Sequence, residues 1–239
     1  EIRAEKNKTE RYINMISKYL LEHPNDKFQH GNLAVEYFNA GEYKKALKHL
    51  LIATKGMNIN SLMAPRLLRY LISTYTALKD YSTALKIIND AKAYYKDIPD
   101  FNFLEGMLYI EQKRYKKAVE VFKECLAMGE YKGPFGTMGG TGSYRAKYMI
   151  GYCYEKLNKL HDAVREYAEA LRLYPSYREV IIRLFDIFVK NEKPENVKEF
   201  FDKYVDKRNP YNFVTLANLY MKIGRFDVAK DTLRKSASI

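Results

Sequence analysis

The chain has 239 residues, 47% of them hydrophobic and 29% charged, which supplies a continuous core and excludes intrinsic disorder. The formal charge of +12 keeps open, as a further alternative, a basic repeat protein associated with RNA or a membrane surface, but Lys44-Lys45, Lys48, Lys116-Lys117 and Lys198 alternate with apolar residues as on solvated helix faces, which argues against a nucleic-acid partner. Cys125 and Cys153 cannot build a disulfide framework and point to a reducing compartment, the cytoplasm; no run of about 18 apolar residues predicts a transmembrane segment, and the charged start Glu1-Ile2-Arg3-Ala4-Glu5 has no signal-peptide core.

In chain order, residues 1–24 predict an amphipathic N-terminal helix or half-repeat, and six segments behind it share one plan. Their anchors are Ala46, Ala84, Ala118, Ala163, Val197 and Ala229; Ala84 to Ala118 and Ala163 to Val197 are each 34 residues, a helix-turn-helix period. Twelve residues before the anchors lie Ala34, Ile72, Gly106, Gly151, Phe185 and Ala217, and nine before them Tyr37, Tyr75, Tyr109, Tyr154, Phe188 and Tyr220. A small residue lets one helix approach its partner while the aromatic three residues on fills the gap beside it. Phe185 breaks that rule, so the fifth hairpin should be splayed. Four residues after the anchors, Leu50, Ile88, Phe122, Tyr167, Phe201 and Leu233 continue one buried helical stripe. The turns Gly41-Glu42-Tyr43, Lys79-Asp80-Tyr81, Lys113-Arg114-Tyr115, Asn158-Lys159-Leu160 and Gly224-Arg225-Phe226 reverse the chain between paired helices, and Pro24, Pro99, Pro175 and Pro210 fall at repeat junctions.

These boundaries give repeat 1 at 25–58, repeat 2 at 63–98, repeat 3 at 99–128, repeat 4 at 144–176, repeat 5 at 177–207 and repeat 6 at 208–239, all within one solenoid over 1–239. The segments Asn32 to Tyr37 with Gly41 to Leu47, and Gly151 to Tyr154 with Ala163 to Pro175, closely resemble the tetratricopeptide repeat family. The resemblance implies an all-α, right-handed superhelical solenoid of about six repeats plus the N-terminal helix.

The spacing from Ala118 to Ala163 is 45, and the extra residues form a Gly-rich insertion over 129–143. Gly139, Gly140, Gly142 and Ser143 are the loop candidates for a phosphate cradle at a helix start. No Gly-x-x-x-x-Gly-Lys-Ser/Thr is present, and a mobile connection with Ser143 as N-cap is the competing expectation. The run Asn7-Lys8-Thr9-Glu10-Arg11-Tyr12, the run His23-Pro24-Asn25-Asp26 and the insertion's end Gly142-Ser143-Tyr144-Arg145-Ala146 are together similar to the C-terminal repeat region of bacterial family 2 glycosyltransferases. That resemblance implies a fragment of such an enzyme, with an upstream catalytic domain in the same chain, consistent with the absence of an initiator Met. The family's Asp-x-Asp site occurs nowhere in these residues, so the fragment itself should transfer no sugar and need no cofactor or metal.

His23, His30, His49 and His161 stand in separate elements without ligand spacing, and the two cysteines fall in packing positions. The expected site is instead the concave groove lined by the first helix of each repeat, with Asn32, Val35, Arg66, Arg69, Tyr70, Phe103, Met107, Arg145, Tyr148, Tyr152, Arg183 and Asp186 as candidates. Arg and Tyr together suit a protein or peptide segment, whether acceptor protein, assembly partner or adaptor client. Gly31 and Val35 stand where carboxylate-clamping relatives carry Lys and Asn, which argues against that specificity. A second copy of the chain is also compatible with such a surface.

Overall fold

The computed structural model describes residues 2–206 and 208–237, with side chains for 8–193, 195–206 and 208–235. Glu1, Lys207, Ser238 and Ile239, included in the expected N-terminal helix and in repeats 5 and 6, lie outside the described residues. Among the described residues the structure is all α-helix. A leading helix α1 (Ile2–Glu22) precedes the pairs α2 (Lys27–Asn39) and α3 (Tyr43–Thr54), α4 (Ala64–Ala77) and α5 (Tyr81–Tyr94), and α6 (Pro99–Glu111) and α7 (Tyr115–Met128). After the Gly-rich segment come α8 (Tyr144–Lys156) and α9 (Leu160–Leu173), α10 (Arg178–Asn191) and α11 (Pro194–Tyr204), and α12 (Pro210–Lys222) and α13 (Phe226–Ala237). The chain forms two compact units, residues 1–139 and 140–239.

Local chemistry starts and stops these helices. Asp26 accepts from the Gln29 N–H at 3.0 Å, Asp80 from Thr83 at 3.1 Å and Asn209 from Tyr211 at 3.0 Å, so each satisfies a donor left over at a helix start. Five of the six hairpins close alike: Gly41, Lys79, Lys113, Asn158 and Gly224 have φ between 57 and 76°. The next residue's N–H then reaches back to the carbonyl of Tyr37, Tyr75, Tyr109, Tyr154 or Tyr220 at 2.8–2.9 Å. This is a Schellman closure, and the repeating aromatic is also its acceptor. The sixth turn differs, since Glu192 is extended and donates to Phe188 at 2.7 Å.

Packing within the hairpins follows the residue twelve before the anchor. A Cβ on Gly106 would stand 2.6 Å from the Phe122 ring, and one on Gly151 would stand 2.6 Å from Tyr167 and 3.2 Å from the Ala163 carbonyl. The pairs holding Ala34, Gly106, Gly151 and Ala217 pack intimately, the pair with Ile72 less so, and α10 with α11, which carries Phe185, least of all. The expected splay is therefore present, and the ring of Phe185 lies 5.9 Å from that of Phe201 on α11. The predicted stripe is buried from Leu50 to Phe201, while Leu233 on α13 is 41% exposed, with no further described helix over it.

Two substitutions separate these effects. Gly151→Ala must push Tyr167 aside and should cost about 1–3 kcal/mol. Lys113→Gly removes the strain of a left-handed lysine and should gain on the order of 0.5–1 kcal/mol after the entropy of glycine is set against it. Denaturant unfolding of the two variants should shift in opposite directions.

Candidate functional site

In the unit of residues 140–239, Tyr148 and Tyr152 stand four residues apart on α8, so they share a face, and Arg183 reaches toward them from α10. The Arg183 guanidinium lies 5.6 Å over the Tyr152 ring, with Lys156 5.2 Å from the same ring, and Arg183 also pairs with Glu155 at 3.4 Å. Glu155 accepts the phenolic proton of fully buried Tyr167 at 2.9 Å, which anchors it from below. Burial is the largest cause raising the Tyr167 pKa and Glu155 adds to it, so the phenol stays neutral. Tyr148 lies 5.3 Å from Tyr177, which lies 5.1 Å from Tyr144, and Tyr144 lies 4.7 Å from Tyr174 with the two rings tilted. Arg145 is half-buried beside this row and Asp186 is exposed on α10. The structure thus gathers three sequence candidates, Tyr148, Tyr152 and Arg183, and adds Tyr144, Glu155, Tyr174 and Tyr177, which repeat spacing alone did not single out.

In the unit of residues 1–139 the candidates are dispersed. Arg66 lies 5.9 Å over the Tyr70 ring, and Tyr70 meets Phe38 edge-on at 5.3 Å. Asn32 and Met107 are half-buried on α2 and α6. Val35 and Phe103 are at most 9% exposed, and Phe103 packs on Phe122 at 5.3 Å, so both serve the core. Arg69 is engaged internally, pairing with fully buried Asp100 at 3.0 Å and donating to the Gly136 carbonyl at 2.7 Å. Asp100 in turn accepts from the Met138 N–H at 2.8 Å, and Phe135 sets its ring edge-on to Tyr95 at 5.4 Å.

The insertion is therefore not the free connection expected, because a buried ion pair and an aromatic contact tie residues 135–138 to α4, α6 and the end of α5. Gly139 is exposed, whereas Gly140 and Gly142 are buried. Gly140 has φ 87°, and the Tyr144 ring fills the space its Cβ would take. Ser143 stands at the N-cap of α8 as expected, but the N–H groups of Ser143 and Arg145 donate to the Gly140 carbonyl at 3.1 and 2.9 Å. The N–H groups of Ser143 and Arg145 are thus already bonded and are not open to a phosphate.

Two histidines assigned to separate elements meet. His30 Nε2 lies 3.0 Å from the Pro24 carbonyl and so donates to it, leaving Nδ1 of the neutral ring to accept from His49 Nδ1–H at 2.8 Å. The His49 ring stacks on Tyr37 at 5.6 Å. Burial first, then His30 and Lys48, lower the His49 pKa to about 4. Cys125 and Cys153 are fully buried within their own units, and desolvation pushes both thiols up to about 12, which makes them poor nucleophiles. Among the described residues no three His, Cys, Asp or Glu side chains form a metal-holding group, and no helix is long and apolar enough to cross a membrane.

Residues 99–128, 144–177 and 212–239 match the model of the tetratricopeptide repeat. Those three segments are thus repeats of the tetratricopeptide type, in keeping with the paired helices above. No curated protein sequence matches the chain. Among solved structures it is similar to MamA, at 20% identity over 71% of this chain and 90% of that one with a TM-score of 0.51. It is also similar to TTC0263, a thermophilic tetratricopeptide protein of Thermus thermophilus, at 19% identity over 78% and 95% with a TM-score of 0.57. A third likeness is YrrB, described as a tetratricopeptide protein with an unusual peptide-binding site, at 17% identity over 76% and 86% with a TM-score of 0.50. At these identities the likeness establishes the fold.

The histidine pair has a measurable sign. An unfolded histidine takes up a proton near pH 6.5, which folded His49 refuses until about 4. The stability this neutral pair contributes is whole above pH 6.5 and is lost as pH falls to 4. His49→Gln should flatten the fall of Tm across that window relative to the unsubstituted chain; parallel curves would count against the assignment.

Proposed function

We propose that the chain is a protein-interaction scaffold that holds a peptide segment of a partner protein on the face of α8 and α10. The observation that carries this reading is the cluster of Tyr148, Tyr152 and Arg183, where a cation lies over one ring and a row of tyrosines continues to Tyr174. Such a surface offers flat area at low entropy cost, with Arg145, Lys156 and Arg183 providing donors for acidic or carbonyl groups. The preferred partner is therefore a segment that places an acidic residue near apolar or aromatic ones. Asn32, Arg66, Tyr70 and Met107 are candidates for a second, separate stretch in the first unit. The peptide-binding description of YrrB supports a role of this kind.

The glycosyltransferase parent implied by the sequence resemblance has no support from the repeat match or the structural likenesses, and a stand-alone adaptor is the better-supported form of the scaffold. Binding should be measured by titrating an array of acidic-aromatic peptides against the full chain. Loss of at least about tenfold in affinity is expected for Tyr152→Ala combined with Arg183→Ala, in line with paired anchor residues at interfaces. Peptides that bind both proteins equally would remove this face from consideration.

A further inference from the structure

Within the unit of residues 1–139 the Gly-rich segment lies against the first helices of the second and third hairpins. Arg69 stands 15 residues before the anchor Ala84 and Asp100 stands 18 before Ala118; the same offsets from Ala163 give Tyr148 and Arg145 on α8. The positions that carry the proposed peptide face in one unit are therefore covered, in the other, by a stretch of this chain's own backbone. Arg69 Nη1 donates to the Gly136 carbonyl at 2.7 Å, and the Asp100 carboxylate accepts the Met138 N–H at 2.8 Å. Arg69 and Asp100 are themselves paired at 3.0 Å, so the two ends of one ion pair hold an acceptor and a donor two residues apart. Phe135 sets its ring edge-on to Tyr95 at 5.4 Å, with Tyr131 stacked behind it at 6.3 Å. Main-chain bonds for affinity, with a side chain placed on a ring for specificity, are how a protein holds a peptide segment.

Receiver and occupant differ in build. Asp100 is fully buried, Tyr95 is buried and the Arg69 side chain is 12% exposed, and all three are set by helices: the first turn of α6, the end of α5 and the middle of α4. The occupant is irregular and glycine-rich, with Lys132, Gly133, Pro134 and Gly136 exposed and Phe135 and Met138 half-buried. The charges decide what kind of ligand fits. Asp100 repels an anion and Arg69 repels a cation, whereas a neutral backbone offers a carbonyl to one and an N–H to the other. A buried ion pair is stable only when its remaining hydrogen-bonding capacity is met, so a group that leaves must be replaced by one of the same kind.

We propose that Arg69, Asp100 and Tyr95 form a receptor for a segment of a partner protein that carries an aromatic residue, then glycine, then any residue, then an apolar one. Residues 135–138 are its built-in occupant, and the partner segment binds by displacing them. Tethering holds the built-in segment at an effective concentration on the order of millimolar, which sets the threshold that a partner has to exceed. The site lies on α4, α5 and α6 and does not depend on the α8 and α10 face, so the two readings fail separately.

The probe is a labelled, capped peptide with the sequence of residues 131–140, titrated against the full chain and against its Phe135→Ser, Met138→Pro variant. The two substitutions take the ring and the N–H donor from the built-in segment and leave the receiver whole. The variant should bind the peptide at least about tenfold more tightly than the unsubstituted chain does, and a peptide carrying the same two substitutions should bind neither. Adding Arg69→Met with Asp100→Leu, which removes both charges together and leaves no lone buried ion, should abolish binding, while adding Tyr152→Ala with Arg183→Ala should leave it unchanged. A second readout needs no substitution: hydrogen exchange at the Met138 amide of the unsubstituted chain should speed up as the peptide reaches millimolar concentration. Equal affinity of variant and unsubstituted chain, survival of binding without Arg69 and Asp100, or a Met138 amide indifferent to peptide would each overturn the proposal and leave the contact a fastening of the loop. A concentration-dependent dimer of the unsubstituted chain that the variant cannot form would overturn it in favour of an exchange of segments between two copies.

Discussion

Everything in this architecture depends on how closely the two helices of a hairpin can approach, and that is set by a single side chain on the first of them. Gly106 against Phe122 and Gly151 against Tyr167 leave no room for even a methyl group. With the small residue in place, a large ring from the second helix can enter the gap, and the hairpin becomes a dry, close-packed unit. Ile72 loosens the second hairpin, and Phe185 opens the fifth far enough for a cavity beside Tyr220 to exist. One position in a repeating pattern therefore sets both the core's density and its main interruption.

Much of this was legible in the residues because it is local and periodic. The anchors, the small-residue positions and the aromatic positions recur at fixed spacing, and the turns at Gly41 and Gly224 announce a left-handed residue. Lys79, Lys113 and Asn158 occupy the same position without glycine, so there the register of the flanking helices, rather than residue type, was the guide. The splay at Phe185 followed from a break in the pattern. Hairpin closure and core placement are thus consequences of sequence neighbours within about one repeat.

The site was less legible, for a different physical reason. Tyr148, Tyr152 and Arg183 lie on a predictable face, but Arg69 looked equivalent to Arg183 and is not. Its partner Asp100 lies 31 positions away and its carbonyl acceptor at Gly136 sits 67 positions on, in an irregular segment with no period to read. The contact between His30 and His49 is hidden similarly, because it depends on side chains crossing a helix pair rather than on spacing along either helix. Tyr174 and Tyr177 escaped notice because they lie at and beyond the end of α9, outside the helical register that the repeat defines. Charged and aromatic residues at equivalent positions can line a surface or lock a loop, and only the tertiary partner distinguishes them.

The two buried cysteines have a practical consequence for anyone wishing to watch this protein work. Each thiol is sealed in the core of its own unit and held in the protonated form, so alkylating dyes should pass over both while the chain is folded. The native sequence is therefore a ready background for spectroscopic labelling. A cysteine introduced at an exposed position such as Asp186 would be the single reactive handle, and any dye that did reach Cys125 or Cys153 would mark which unit had opened.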